Sequence, residues 1–192
     1  MTRDFDSHFP PDNARTHEVW GPSATAFAFA LAANLCGQSG KAVLWIREGW
    51  QGEHINPMGF APYLDPQKLL VAQAPGHIDL LASAEEALRS GRVALVVMEV
   101  SQPIGLTEGR RLQLAAAEGK TTGLCILPEG MGSNAAQTRW RCTPVFDATA
   151  HADSTLQRWE IIKNKSGTLK AWAVKWDAQT RRVSVVSEAP QR

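Results

Sequence analysis

Cysteine is scarce in this 192-residue chain: Cys36, Cys125 and Cys142 are odd in number and far apart, with no CxxC pair and no histidine at metal-ligand spacing. That excludes a disulfide framework and a zinc module, and it predicts buried, reduced thiols. An excess of one charge is lacking too. Twenty Lys plus Arg against nineteen Asp plus Glu leave +1, so the total charge marks neither a nucleic-acid binder nor a membrane-surface binder. Long apolar runs are missing: the longest, from Ala24 to Leu35, is too short to cross a bilayer, and the polar start Met1-Thr-Arg-Asp-Phe-Asp-Ser-His is unlike a signal peptide. A soluble cytoplasmic protein without a membrane partner is expected.

What is present suits one globular domain. Hydrophobic residues make up 44% of the chain and charged residues 20%, enough for a sizeable core. The charge is unevenly placed: residues 1–138 carry ten basic and fourteen acidic side chains, whereas residues 139–192 carry ten basic and five acidic ones. Residues 1–15 hold Pro10, Pro11, Asp12 and Asn13 among charges without a hydrophobic period, the pattern of a flexible arm. A single domain is expected over 16–192.

Within it, apolar runs of strand length alternate with helical patterns. Strands are predicted at 16–20, 42–46, 69–73, 93–100 and 123–127, and helices at 24–36 closed by Gly37, at 78–90 closed by Gly91, and at 107–118. This order predicts an α/β fold, a mostly parallel central sheet with helices on both faces. Three later runs, 156–162, 170–176 and 182–187, are rich in β-branched and aromatic residues and are separated by Lys165-Ser-Gly-Thr and Asp177-Ala-Gln-Thr. Those separators read as hairpin turns, so a C-terminal antiparallel extension follows.

The first strand runs through Gly21-Pro-Ser-Ala-Thr-Ala-Phe-Ala into a helix, the context that a phosphate loop of the form GxxxxGK[ST] requires. The motif is absent. Ala26 stands where a second glycine would let backbone N–H groups close on phosphates, Phe27 where a lysine would reach them, and Ala28 where a hydroxyl would meet Mg²⁺. One ion pair at about 4 Å and an effective dielectric of about 20 is worth about 4 kcal/mol before solvent competition; a phenyl ring supplies none of it. Gly21 and Ser23 remain, and Ser23 as a helix cap leaves a weaker anion site open.

The order of these segments resembles the core of RecA-like proteins, and most closely the ImuA family of accessory proteins in bacterial damage-induced mutagenesis. The resemblance spans about residues 16–187. It rests on Glu18-Val-Trp-Gly-Pro22 before the loop, Asp65-Pro-Gln-Lys-Leu-Leu-Val-Ala-Gln73, Ala87-Leu-Arg-Ser-Gly91 followed by Ala94-Leu-Val-Val-Met-Glu-Val100, and Ile161-Ile-Lys-Asn-Lys165; the segment Ser133-Asn-Ala-Ala-Gln-Thr-Arg-Trp-Arg141 points toward ImuA. On the strand that carries the RecA aspartate, that place falls at Met98, and alternation turns the neighbouring Glu99 to the other face. The family's catalytic glutamate falls at Glu48 or at Gly49. The two loops by which RecA holds DNA look short here.

The resemblance therefore implies a catalytically inactive RecA-fold adaptor of translesion synthesis in the SOS response, without a cofactor. Its implied partner is ImuB, an inactive relative of Y-family polymerases, and through it an error-prone α-type DNA polymerase. RecA, DNA and a second copy of the chain are further candidates. Lys163 and Lys165 match lysines that in RecA reach a neighbouring subunit's nucleotide; here they are either solvated or contact a partner or DNA phosphate. Arg139-Trp140-Arg141 interleaves guanidinium groups with an aromatic face, which either covers a core or stacks bases and neutralises phosphates. The alternatives are a cell-division inhibitor resembling SulA and a DNA-binding module that uses the basic C-terminal part.

Overall fold

The structure, a computed structural model, describes residues 2–147 and 155–188. Of the predicted domain, residues 148–154 and 189–192 lie outside the described residues. In chain order the elements are α1 (Thr2–Asp6), β1 (Thr16–Trp20), α2 (Ala24–Ser39), β2 (Val43–Glu48), α3 (Pro57–Phe60), a 3-10 turn (Pro66–Lys68) and β3 (Leu69–Ala74), then α4 (His77–Ser90), β4 (Leu95–Glu99), α5 (Leu106–Gly119) and β5 (Thr122–Ile126). Four strands finish the fold: β6 (Thr138–Pro144), β7 (Gln157–Asn164), β8 (Ala171–Asp177) and β9 (Arg182–Glu188).

All nine strands form one sheet of order β3-β2-β4-β5-β1-β6-β7-β8-β9. β1 to β6 are parallel, joined through the β1/β5, β1/β6, β2/β3, β2/β4 and β4/β5 ladders. β7, β8 and β9 follow as antiparallel neighbours. Strand alternation sorts the core into two layers. Val19, Val43, Trp45, Leu95, Val97, Leu124, Trp140 and Trp159 pack on the α2 side, and Ile46, Val96, Met98 and Cys125 pack on the α4 and α5 side. Helices cover both faces, and all three cysteines are buried and free.

α2 is apolar on almost every side because it is covered on almost every side. Phe29 stacks on Trp45 at 4.8 Å and on Phe60 at 5.0 Å, while Phe27 meets Trp159 at 4.7 Å and Trp140 at 5.1 Å. The helix runs past its expected stop at Gly37 and ends at Gly40, whose φ of 69° and N–H bond to the Cys36 carbonyl make it the left-handed cap. Gly37 has no such role; it lies within the last turns.

The expected flexible arm is a correction. Phe5 and Phe9, one helical turn apart, are 3% and 6% exposed and close the aromatic layer from outside, with Phe5 5.3 Å from Trp172 and Phe9 5.7 Å from Phe27. Burial of two phenyl rings, about 2 kcal/mol or more each, offsets the ordering of a short segment. The segment is tied down further by the Asn13 Oδ1 to Thr122 Oγ1 hydrogen bond at 2.9 Å and the Asp4–Lys170 ion pair at 3.5 Å.

His17 is the strongest such tie. Fully buried, it sits 2.8 Å through Nε2 from the Asp12 carbonyl and 2.7 Å through Nδ1 from Thr138 Oγ1. A carbonyl only accepts, so Nε2 carries the proton, and Thr138 donates to Nδ1 while accepting from Trp140 Nε1 at 2.9 Å. Burial lowers the imidazole from 6.5 to about 4. The unfolded chain therefore binds a proton that the folded chain refuses. Stability is full above pH 6.5, falls as the pH drops toward about 4, and at the lower end is reduced by about 3 kcal/mol. Urea midpoints measured between pH 7 and pH 4 should show this loss, and His17→Gln should flatten that part of the profile.

Candidate functional site

Ligands in open α/β sheets bind outside the carboxyl ends of the parallel strands, and here that place is the junction of β1 with α2. The junction is short. β1 ends at Trp20 and α2 starts at Ala24, leaving only Gly21-Pro22-Ser23 between them. Gly21 holds φ +105°, and a Cβ on it would lie 2.3 Å from the Cys142 carbonyl oxygen, so the turn is pressed against the end of β6. The Ser23 N–H donates to that same oxygen at 3.1 Å and the Ala24 N–H to the Gly21 carbonyl at 3.0 Å. The Ser23 side chain makes no cap bond, which corrects its expected role. Two donors that an anion would need are thus occupied.

Phe27 and Ala28 are fully buried and Ala26 half-buried. Phe27 lies among Phe9, Trp140 and Trp159, where a nucleotide-binding chain would aim an ammonium at phosphate. These residues do not fit a nucleotide: the cradle is three residues long, its N–H groups face protein carbonyls, and the charge is replaced by an aromatic core.

The strand-end carboxylates are engaged on opposite faces. Met98 is buried in the α4 and α5 layer, and Glu99 points to the α2 side, as alternation predicts. There Trp45 Nε1 donates to Glu99 Oε1 at 2.7 Å and Arg47 Nε to Oε2 at 2.8 Å. Glu48, 1% exposed at the end of β2, shares the α4 side with Ile46; its Oε2 accepts from Trp50 Nε1 at 2.6 Å and from Ser101 Oγ at 2.7 Å. Its other oxygen lies 3.6 Å from His77 Nδ1 without a hydrogen bond. Sequence reasoning left Glu48 without neighbours, and His77 and Ser101 carried no motif that would have joined them to it.

Each of the five candidate contact residues makes contacts within the chain, and Lys165 stays exposed at the surface while doing so. Trp140 is fully buried. Arg139 Nε donates to Glu18 Oε2 at 2.7 Å and its Nη2 to the Ser133 carbonyl at 3.1 Å, while Glu18 Oε1 accepts the Ser133 N–H at 2.7 Å. Arg141 and Arg158 share Glu160, at 2.5 Å and 3.1 Å, and Arg141 also stands 5.8 Å from the Trp20 ring centre. Burial alone would raise the Glu160 carboxyl, but its bonds to Arg158 and Arg141 outweigh that and hold it below its ordinary value. Lys163 Nζ donates to the carbonyls of Ser133, Asn134 and Ala136, each at 3.0 Å, and Lys165 Nζ to that of Ala135 at 2.6 Å. Four successive carbonyls, 133–136, are thereby satisfied by two ammonium groups. Burial lowers the Lys163 ammonium from its ordinary value.

Lys163→Met leaves the Asn134 and Ala136 carbonyls without their donor, while that of Ser133 keeps Arg139. It is expected to cost about 2 kcal/mol, measured by urea unfolding, and to speed hydrogen exchange in residues 131–137 before the rest of the sheet.

No protein-family model and no curated protein matches the chain. The structure is similar to the crystal structure of the RadB recombinase, with a TM-score of 0.65 and 13% identity over 93% of this chain and 94% of that one. At that identity the likeness speaks for architecture. The chain has a RecA-like α/β fold, with its parallel sheet between two helical layers and an antiparallel extension of three strands.

Proposed function

We propose that this chain is a RecA-fold accessory protein of error-prone translesion synthesis that acts through protein contacts rather than nucleotide chemistry. The observation that carries this reading is Phe27, seated in an aromatic cluster 4.7 Å from Trp159 where the fold's chemistry calls for a lysine. Both oxygens of Glu99 are held by Trp45 and Arg47, so the end of β4 offers no free carboxylate in compensation. A RecA-like scaffold with its phosphate site filled keeps its surfaces, and surfaces serve partners. The ImuA resemblance names them: ImuB, through it an error-prone α-type polymerase, and RecA.

The DNA-binding alternative is weakened at Arg139 and Arg141, which are paired with carboxylates of the chain itself. An ion pair would have to open for each phosphate met there, which opposes the counterion release that drives such binding.

Size-exclusion chromatography and pull-down with ImuB and RecA, each with and without ATP, test the reading. A stable complex with ImuB, equal in both conditions, is expected. No complex with either protein would overturn it, and filamentous cells on overexpression without a DNA-damage phenotype would move the weight to a SulA-like division inhibitor. A second check restores the missing charge: Phe27→Lys should lower stability by about 3 kcal/mol or more, since it removes a core ring and buries an unpaired ammonium. Calorimetry with Mg-ATP should show no heat of binding for the wild type or the variant.

A further inference from the structure

α5 carries a stripe that none of the described residues covers. Leu106 and Leu114 are 48% and 69% exposed, and Arg110, midway between them and also exposed, has no ion pair among the described residues. Spaced i, i+4 and i+8, the three fall on one side of the helix over about 12 Å. On the next position round the helix Arg111 pairs with Glu85 at 2.7 Å, so the unpaired state belongs to this stripe. The carboxylate of α5's first turn, Glu108, folds back over Gly105.

Beside the stripe lies a groove of about 310 Å³ whose far wall is Asn134 and Ala135 and whose rim holds Lys165. The groove is built rather than incidental. Gln113 Nε2 donates to the carbonyls of Thr16 and Ala135, each at 3.1 Å, and Lys165 fixes the same Ala135 carbonyl at 2.6 Å. A Cβ on Gly109 would lie 2.6 Å from Ser133 Oγ, so α5 and the wall are in close contact beneath. A mostly apolar surface with two cations and no carboxylate in its lining suits an occupant with apolar anchors and negative charge.

We infer that this groove docks an acidic amphipathic helix of a partner protein, one that presents two leucine-sized side chains about two turns apart with a carboxylate between them. The charge complementarity is with Arg110 and Lys165, and the apolar anchors match Leu106 and Leu114. Single-stranded nucleic acid fits less well, because the groove offers no aromatic face on which a base would stack. This inference names the docking surface of the adaptor reading and rests on it.

The test compares the full-length wild type with Arg110→Glu, Leu114→Ala and, as a charge control outside the groove, Arg92→Glu. With ImuB as the probe, Arg110→Glu should weaken binding about tenfold or more and Leu114→Ala several-fold, with Arg92→Glu within about twofold and melting temperatures unchanged. ImuB binding that is indifferent to both groove variants overturns the inference and leaves the adaptor reading standing. If ImuB does not bind the wild type, the adaptor reading falls and a second probe decides the groove: a synthetic helical peptide with leucines two turns apart and glutamates between, against its lysine counterpart, by fluorescence anisotropy. Preference for the acidic peptide that is lost in Arg110→Glu supports the groove; no binding of either peptide overturns it. A single-stranded oligonucleotide bound in an Arg110-dependent way, or a homodimer in light scattering that Arg110→Glu dissolves, assigns the stripe to another occupant and also overturns it.

Discussion

The rest of the molecule depends on where one ring goes. Phe27 leaves α2 toward the sheet and contacts Trp140 of β6, Trp159 of β7 and Phe9 of the N-terminal segment. Four parts of the chain are thereby held at one point: the first helix of the parallel core, its last parallel strand, the first antiparallel strand and the segment before β1. The same ring fills the place where a phosphate loop would put its lysine, and Gly21 presses the turn onto the Cys142 carbonyl. Filling the site and welding the antiparallel extension to the core are the same packing event.

Electrostatics follow the same inward logic. The basic C-terminal quarter suggested a surface for phosphates, yet Arg139, Arg141 and Arg158 within it are paired with buried carboxylates. Arg139 neutralises Glu18, which is 1% exposed, and Arg141 with Arg158 neutralises Glu160, which is 5% exposed. A carboxylate that deep without a partner would be strongly destabilising, so these arginines are not free to leave. Lys163 and Lys165 satisfy the carbonyls of 133–136. Net charge by segment is thus a poor guide to a binding face here, because it counts residues without regard to what each one faces.

The parallel core was legible because its signals are local. Strand-length apolar runs, Gly91 after α4 and the hairpin turns at 165–168 and 177–180 each act within a few residues, and the three antiparallel strands lie within two residues of their expected limits. β6 was hidden for a different reason. Thr138-Arg-Trp-Arg-Cys-Thr alternates with period two, Trp140 and Cys142 inward and Arg139 and Arg141 outward, but an Arg-Trp-Arg cluster also reads as an interface. Alternation was the better signal, since it states a face whereas composition does not. α1 escaped because Phe5 and Phe9 are two apolar residues among charges and prolines; their partners Trp159 and Trp172 lie about 150 residues away, and no local pattern announces such a contact. Glu48 belongs to the same class, since His77 and Ser101 reach it from other strands' ends.

The carboxylates at the strand ends tie neighbouring segments together on both faces of the sheet. Glu99 fastens Arg47 and Trp45 beneath α2, and Glu48 fastens Trp50 and Ser101 through Oε2 while its Oε1 faces His77 without a hydrogen bond. Arg47 extends its own lock to the loop after β2 through the Glu53 carbonyl. On the proposed adaptor reading, partner recognition would rest on the shape and charge of exposed faces such as α5.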